Sequence, residues 1–297
     1  MEIHQLRYFC AVAREGTFTR ASEVEHVAQP SLSQQILKLE AELGARLFDR
    51  LPRSAKLTVF GKALLPKAKR ILRELEEAKT EILEMSGNEK GEVVVGIIPT
   101  IAAYLLPQLL DGLATRHPLI TVKIYEDITP VLLQRLHDGT VDIAIAALPI
   151  SGIELVNEEL FEEKFYAVLP EKHRSASRAN ISLTELNREP FLLLKEGHCF
   201  RDSLIAACQK SRMSPSVVFE SGQFATVLAM VSAGMGVSAV PAMAVQPHPG
   251  CKFIPISGKH SSRKVGIVTL RHHYQSRAQR ILMKQMRDAC GAPRRAS

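Results

Sequence analysis

Val27-Ala28-Gln29-Pro30-Ser31-Leu32-Ser33-Gln34-Gln35-Ile36-Leu37-Lys38-Leu39-Glu40 decides how the first part of this chain is read. Residues 27–31 form a turn, and Pro30 suits a first helical position, where its missing N–H costs nothing. Leu32, Ile36, Leu39 and Leu43 then recur at spacings of four, three and four, which is the buried stripe of an amphipathic helix. The other face carries Ser31, Ser33, Gln34, Gln35 and Lys38. Upstream, Ile3, Leu6, Cys10 and Ala13 mark a first helix, with Cys10 a buried structural thiol on its apolar face. Gly16-Thr17-Phe18-Thr19 ends it, and a short helix with Ala21 and Val24 inside follows. A short helix, a tight turn and a second helix with a polar face describe a helix-turn-helix. Its second helix would enter the major groove, amino-terminal residues nearest the base edges. The candidate DNA contacts there are Gln29, Pro30, Ser31, Ser33, Gln34 and Lys38. The glutamine amides can donate to and accept from a base edge, and Lys38 can meet phosphate. The alternative is a plain helical bundle with a solvated polar face.

Working outward, Phe48-Asp49-Arg50-Leu51-Pro52-Arg53-Ser54-Ala55-Lys56-Leu57-Thr58 reads as a β-wing. Arg50 and Arg53 on it are candidate phosphate contacts that would add salt-dependent affinity. Then Leu64, Ala68, Ile71, Leu75, Ala78, Ile82 and Met85 hold spacings of four and three without a break. So narrow a stripe on a polar helix implies a partner helix, and hence a dimer. Pro66 should kink this helix or mark its first turn, and residues 86–91 end it as a hinge. Charge follows the same division. Residues 1–73 hold thirteen Lys/Arg against seven Asp/Glu, residues 74–258 fifteen against twenty-three, and residues 259–297 ten against one. A basic head on an acidic middle suits a nucleic-acid-binding module joined to something else, although a merely solvated surface gives the same count. The 297 residues allow two or three domains. No apolar run is long enough to span a membrane, and the start lacks a signal-peptide pattern. Five cysteines in a chain of this length argue against a secreted disulfide scaffold. A cytoplasmic protein is expected.

At this point a resemblance enters. Leu6-Arg7-Tyr8-Phe9, Gly16-Thr17-Phe18, Ala21, Gln29-Pro30-Ser31-Leu32-Ser33, Ile36, Leu39-Glu40, Leu43-Gly44, Leu47-Phe48, Arg50, Thr58 and Gly61 resemble the winged helix-turn-helix of LysR-type transcriptional regulators. The likeness is dense over about sixty residues, and the long helix after the wing fits it. It implies a winged helix-turn-helix domain over 1–58 and a linker and dimerisation helix with hinge over 59–90. It also implies a regulatory domain over 91–297, similar to periplasmic binding proteins, with lobe I about 91–163 and 266–297 and lobe II about 164–265. Double-stranded promoter DNA, RNA polymerase and a homodimer or homotetramer are the partners implied. Neither a membrane nor a cofactor is implied, and the chain is expected not to be an enzyme.

The residues from 92 on agree with an α/β architecture. Val93–Ile98, Ile120–Tyr125 and Val141–Ala146 read as strands separated by helices, an order that implies a mostly parallel sheet. A second set begins near Lys164: strands at 165–169, 191–194, 217–219 and 237–240, helices at about 199–210 and 225–232. Val265–Leu270 returns as a strand, and a helix follows over roughly 275–289. Ligand sites in such folds lie at strand carboxyl ends. Asp142, at a strand end, is read as structural. No glycine-rich phosphate loop, zincin motif or nucleophile elbow occurs.

Gly197-His198-Cys199-Phe200-Arg201-Asp202, with Cys208 further on, carries the chemistry. Cys199 stands where strand meets helix, and a helix amino terminus favours a thiolate, as would charge on the neighbouring His198 and Arg201. Cys208 shares a face with Leu204 and Ile205 and should be buried and inert. Nine helical residues span about 13.5 Å and put the two side chains on roughly opposite faces. A disulfide needs Cα atoms within about 7 Å, so the pair cannot bond while 199–208 stays helical, and bonding would be a conformational switch. Two cysteines nine apart are also unremarkable by chance.

The Gly-His-Cys-x-Arg-Asp run with its second cysteine is similar to the signature of the peroxide-sensing (OxyR) subgroup of the LysR family. Pro99-Thr100 with Tyr104–Pro107, and Met230–Gly236 with Pro241-Ala242, resemble it too. That resemblance implies hydrogen peroxide as the signal, Cys199 as the peroxidatic thiol and Cys208 as the resolving one. It implies Thr100, Thr129 and His198 as pocket residues, Arg201 and Asp202 as organisers of the local network, and a later pocket arginine for which Arg271 is the candidate. Activation of oxidative-stress defence genes would follow. Two other readings remain open: a LysR-type regulator answering a small organic co-inducer without redox chemistry, and a thiol peroxidase.

Overall fold

The computed structural model describes residues 1–51, 54–85, 90–271 and 273–291, and the chain divides into two compact units. The amino-terminal unit is built from α1 (Ile3–Glu15), α2 (Phe18–Val24), α3 (Gln29–Leu43), the antiparallel hairpin β1 (Phe48–Leu51) and β2 (Ser54–Leu57), and α4 (Val59–Met85). Gly16 ends α1 in the left-handed conformation, at φ 70°. The Thr17 hydroxyl then caps α2 by accepting from the Arg20 N–H at 3.2 Å. Leu6, Phe9, Val12, Ala21, Leu32, Ile36, Leu39, Leu47 and Phe48 close a single core. The stripe of α3 stops one residue short of expectation. Leu43 is 42% exposed, whereas Glu40 is buried and its carboxylate accepts the N–H groups of Leu47 (2.7 Å) and Phe48 (3.2 Å). A polar side chain here satisfies backbone donors that would otherwise be buried without partners. Val24 is likewise exposed, and Cys10 only half-buried, its thiol pushed up to about 11 by burial.

Ala68 of α4 is fully buried in this unit's own core, with Leu64, Leu65 and Leu72 packed nearby. The first part of the expected inter-helix stripe is thus used within the chain. Of the stripe as a whole, Ile71, Ile82 and Met85 are 37, 62 and 79% exposed. Pro66 lies inside α4, beyond its first turn.

The carboxy-terminal unit follows as β3 (Gly91–Ile97), α5 (Pro99–Leu110), α6 (Leu113–Arg116), β4 (Ile120–Glu126), α7 (Thr129–His137), β5 (Ile143–Leu148) and β6 (Leu155–Pro170). It continues through β7 (Ile181–Ser182), β8 (Pro190–Leu194), α8 (Cys199–Lys210), β9 (Ser216–Ser221), α9 (Phe224–Ser232), β10 (Ser238–Pro241), β11 (Cys251–Ser257), β12 (Ser262–Leu270) and α10 (Arg277–Gly291). The large sheet runs β4-β3-β5-β12-β6-β11-β7, with β10 also on β6. Only β4, β3, β5 and the β11–β7 pair are parallel, and β12 runs antiparallel to both its neighbours. The sheet is therefore mixed, because the chain re-enters through β12 from the opposite end. Asp142 is structural: its carboxylate accepts the Val94 N–H at 2.7 Å, and its own N–H donates to the Val94 carbonyl.

β6 is sixteen residues long and runs unbroken between two cores. Its first half pairs with β12 beside the core formed by β3, β5, α5 and α10. Its second half, from Phe165, belongs to the core formed by β8, α8, α9, β10 and β11. The two lobes thus share a continuous strand at residues 163–165.

Candidate functional site

The surface of α3 fits a nucleic-acid interface. Gln29, Pro30, Ser31, Gln34 and Lys38 are exposed and Ser33 is half-buried. Gln35 differs, because its side-chain oxygen accepts from Gln5 of α1 at 3.2 Å. Arg50 is described only through its backbone in the hairpin, where it faces Ala55. Arg53 lies outside the described residues.

The second site is built by three helix starts. Cys199 is the first residue of α8, Thr100 the second of α5 and Thr129 the first of α7. The last two follow directly on the carboxyl ends of β3 and β4, the place where such sheets hold ligands. Gly197, at φ +91°, turns the chain from β8 into α8, and a β-carbon there would come within 3.2 Å of Ile128. Burial pushes the Cys199 thiol up. Against burial work the Arg263 charge first, then the Ala147 N–H and the Thr100 and Thr129 hydroxyls. The thiol is thus protonated at rest, contrary to the expectation from its helix position, but it is ringed by groups that favour the anion.

Arg263 is the residue sequence reasoning missed. It is buried, its Nε donates to Glu163 Oε1 at 2.8 Å, and its Nη2 lies 2.8 Å from the same oxygen as an ion pair. Its Nη1 donates to Thr100 Oγ1 at 2.9 Å and its Nη2 to the Thr100 carbonyl at 3.2 Å. Since Thr100 Oγ1 accepts from the guanidinium, its own proton is free to face sulfur. Arg271, the arginine expected here, lies at the far end of β12, exposed, with its backbone N–H on the Glu154 carbonyl. Arg201 is also turned away, paired with Glu220 at 2.6 Å and Glu196 at 3.6 Å. Asp202 is exposed, and its N–H caps back to the His198 carbonyl at 3.3 Å. His198 is buried, and burial followed by the Lys195 charge holds its pKa down, opposed by Asp202. The ring is therefore neutral. Its Nδ1 and the Thr129 Oγ1 are buried without a nitrogen or oxygen partner, two polar atoms left for a small polar molecule.

Cys208 lies in other surroundings. It is fully buried in the lobe II core, and burial alone raises its thiol to about 11. Residues 199–210 are one unbroken helix and all five cysteines are free thiols.

The matches to known families cover both units. Residues 3–62 match the model described as bacterial regulatory helix-turn-helix protein, lysR family, and residues 86–291 match the LysR substrate binding domain. The chain belongs to the LysR family of DNA-binding transcriptional regulators. It is 32% identical over 289 residues, 95% of each chain, to the DNA-binding transcriptional dual regulator OxyR of Escherichia coli K12. A full-length OxyR from Pseudomonas aeruginosa superposes with a TM-score of 0.80 at 32% identity, over 98% of this chain and 94% of that one. A hydrogen-peroxide-bound cysteine variant of Corynebacterium glutamicum OxyR gives a TM-score of 0.61 at 30% identity, over 97% and 91%. Among the described residues no helix is long and apolar enough to cross a membrane.

Proposed function

We propose that this LysR-family regulator senses hydrogen peroxide through Cys199 and Cys208, in the cytoplasm, and activates oxidative-stress defence genes. The observation that carries this reading is the Cys199 environment. One thiol at a helix start is met by a buried guanidinium, a backbone N–H and two threonine hydroxyls, beside a buried His198 Nδ1 with no hydrogen-bond partner. The resemblance to OxyR proteins supports it.

In the first step the Cys199 sulfur attacks one peroxide oxygen as thiolate and the O–O bond breaks. The departing hydroxide takes up a proton and leaves as water, and Cys199 becomes a sulfenic acid. The Thr100 and Thr129 hydroxyls would bond the peroxide oxygens, and His198, neutral, would offer a ring nitrogen for the proton transfer. In the second step the Cys208 sulfur attacks the sulfenic sulfur, the S–O bond breaks and a second water leaves. Two thiols are oxidised and one peroxide is reduced to two waters. The disulfide cannot form across an intact α8, so the helix must open. In a homotetramer that change would alter the spacing of DNA half-sites and the contact with RNA polymerase.

The test is peptide mapping of the purified chain after micromolar peroxide. A Cys199–Cys208 disulfide with a changed DNA footprint is expected, and neither in Cys199→Ser. A footprint that shifts with peroxide in Cys199→Ser, or no disulfide in the wild type, overturns the sensor reading and leaves the regulator assignment standing.

A further inference from the structure

Glu163 and Arg263 face each other across β6 and β12 as register partners one hundred residues apart. The carboxylate is held from two sides. Oε1 accepts the Arg263 Nε–H and forms an ion pair with Nη2, and Oε2 accepts the Met243 N–H at 3.1 Å. Tyr104 lies near enough for the Glu163 charge to push its phenol up, after burial. The side chains of Arg263 and Glu163 are 1 and 3% exposed. Neither charge is therefore screened by water, and each acts at short range on what it faces. On its other side the same guanidinium holds Thr100, which faces the Cys199 sulfur, and its carbon lies 5.2 Å from the centre of the Phe200 ring, next in sequence to Cys199. Next to Cys199 in sequence, the His198 ring is itself acted on by the charges of Lys195 and Asp202.

We propose that Glu163 is a positioning residue that restrains Cys199 through Arg263: it fixes the guanidinium against Thr100 and offsets its charge, so that the resting sulfur stays a thiol. The inference rests on Cys199 being the reactive residue. An uncompensated buried cation beside a thiol would favour the thiolate strongly. Such a site would react with every passing electrophile. The pair instead leaves the hydrogen-bond geometry in place with little net charge, since the guanidinium that faces Thr100 is bonded on its other side to the Glu163 carboxylate. Glu163 also ties the corner to lobe II, because the Met243 N–H it accepts comes from the turn after β10.

The experiment is the pH profile of Cys199 alkylation by iodoacetamide in the full-length reduced chain, read at the Cys199 peptide by mass spectrometry. It needs no peroxide. If wild-type Cys199 alkylates normally but ignores peroxide, the sensor reading fails while the Glu163 inference is still decided. Glu163→Gln keeps the shape and removes the charge, so the midpoint should move down and the rate at neutral pH rise about tenfold. Glu163→Asp keeps the charge and should stay within about twofold of wild type. Glu163→Gln with Arg263→Gln removes both charges and should return the midpoint towards wild type, a double-mutant cycle on one interaction. A merely structural role would not produce a downward shift that the second substitution cancels. An unchanged or raised midpoint in Glu163→Gln overturns the inference, and so does a Glu163→Asp profile equal to that of Glu163→Gln. Should Glu163→Gln fail to fold, the Glu163→Asp and double variants decide. An Asp profile displaced downward by tenfold, or a double variant as reactive as an isolated cation would make it, overturns the proposal.

Discussion

The two ends of α8 carry the same side chain in opposite surroundings. At the amino end Cys199 meets hydroxyls, a backbone N–H and a cation. Nine residues on, Cys208 meets only apolar side chains of the lobe II core. Both thiols are raised by burial, but at Cys199 charge and hydrogen bonds oppose it and at Cys208 nothing does. The difference sets an order of events. On the proposed reading, the first oxidation would take place with α8 intact, and the second would need α8 to open, since only then would Cys208 leave the apolar core that surrounds it. The largest effect should therefore separate the two steps. In Cys208→Ala, peroxide should still oxidise Cys199, but the reaction should stop at the sulfenic acid, trapped by dimedone at the Cys199 peptide, and the DNA footprint should not change. In the mirror variant, Cys199→Ala, Cys208 should remain a thiol at the same peroxide. Dimedone labelling of Cys208 there would erase the asymmetry.

Much of this contrast was legible in the sequence, and the reasons are local. A helix start beside a glycine places Cys199 at the amino end of α8, and the 3.6-residue period places Cys208 with Leu204 towards the core. The helix-turn-helix was readable for the same reason: every contact that defines it lies within a few turns. What escaped depends on pairing between distant strands. Arg263 is the second residue of β12, in phase with Val265 and Ile267, and Glu163 lies in β6 in phase with Phe165 and Ala167. A charge in phase with buried residues is the signal in each case, but neither means anything until the β6–β12 register sets them face to face. Arg271 was the wrong end of the right strand. The mixed sheet escaped likewise, because a returning strand carries no mark of its direction. Arg201 shows that nearness in sequence is not direction: its guanidinium pairs with Glu220 of β9 and with Glu196.

A middle-sized effect should appear in stability at high pH. The Cys208 pKa rises from 9.0 to about 11 on folding, so between these values the native state holds a proton that the unfolded state has lost. The unfolded state then binds fewer protons, and stability must fall as pH rises. The contribution is intact below pH 9. By pH 11 the loss approaches about 2–3 kcal/mol for this one group. Other groups titrate in the same range, so the measurement is a difference. Denaturant midpoints of wild type and Cys208→Ala, both reduced, should converge as pH rises from 8 to 11. Parallel curves would mean that the lobe II end of α8 already admits water, and the contrast between the two ends would shrink.

The smallest effect tests the Cys199 end at a single atom. Thr129 Oγ1 is buried with no nitrogen or oxygen partner, yet its hydroxyl lowers the Cys199 thiol. Valine has the same shape without the oxygen. For stability alone, losing a buried hydroxyl with no nitrogen or oxygen partner should be neutral or worth up to about 1 kcal/mol in favour of folding. For reactivity the same change removes one donor from the anion. A single hydrogen bond of ordinary strength corresponds to a rate about two- to tenfold lower at neutral pH. Thr129→Val should therefore raise the melting temperature slightly while slowing Cys199 alkylation, and Thr129→Ser should keep the rate. Movement in opposite directions would mark Thr129 as a residue held for chemistry at a cost in stability. A Thr129→Val protein that loses both stability and rate would show that the hydroxyl serves packing, and that the amino end of α8 owes its character to Arg263, the Ala147 N–H and Thr100.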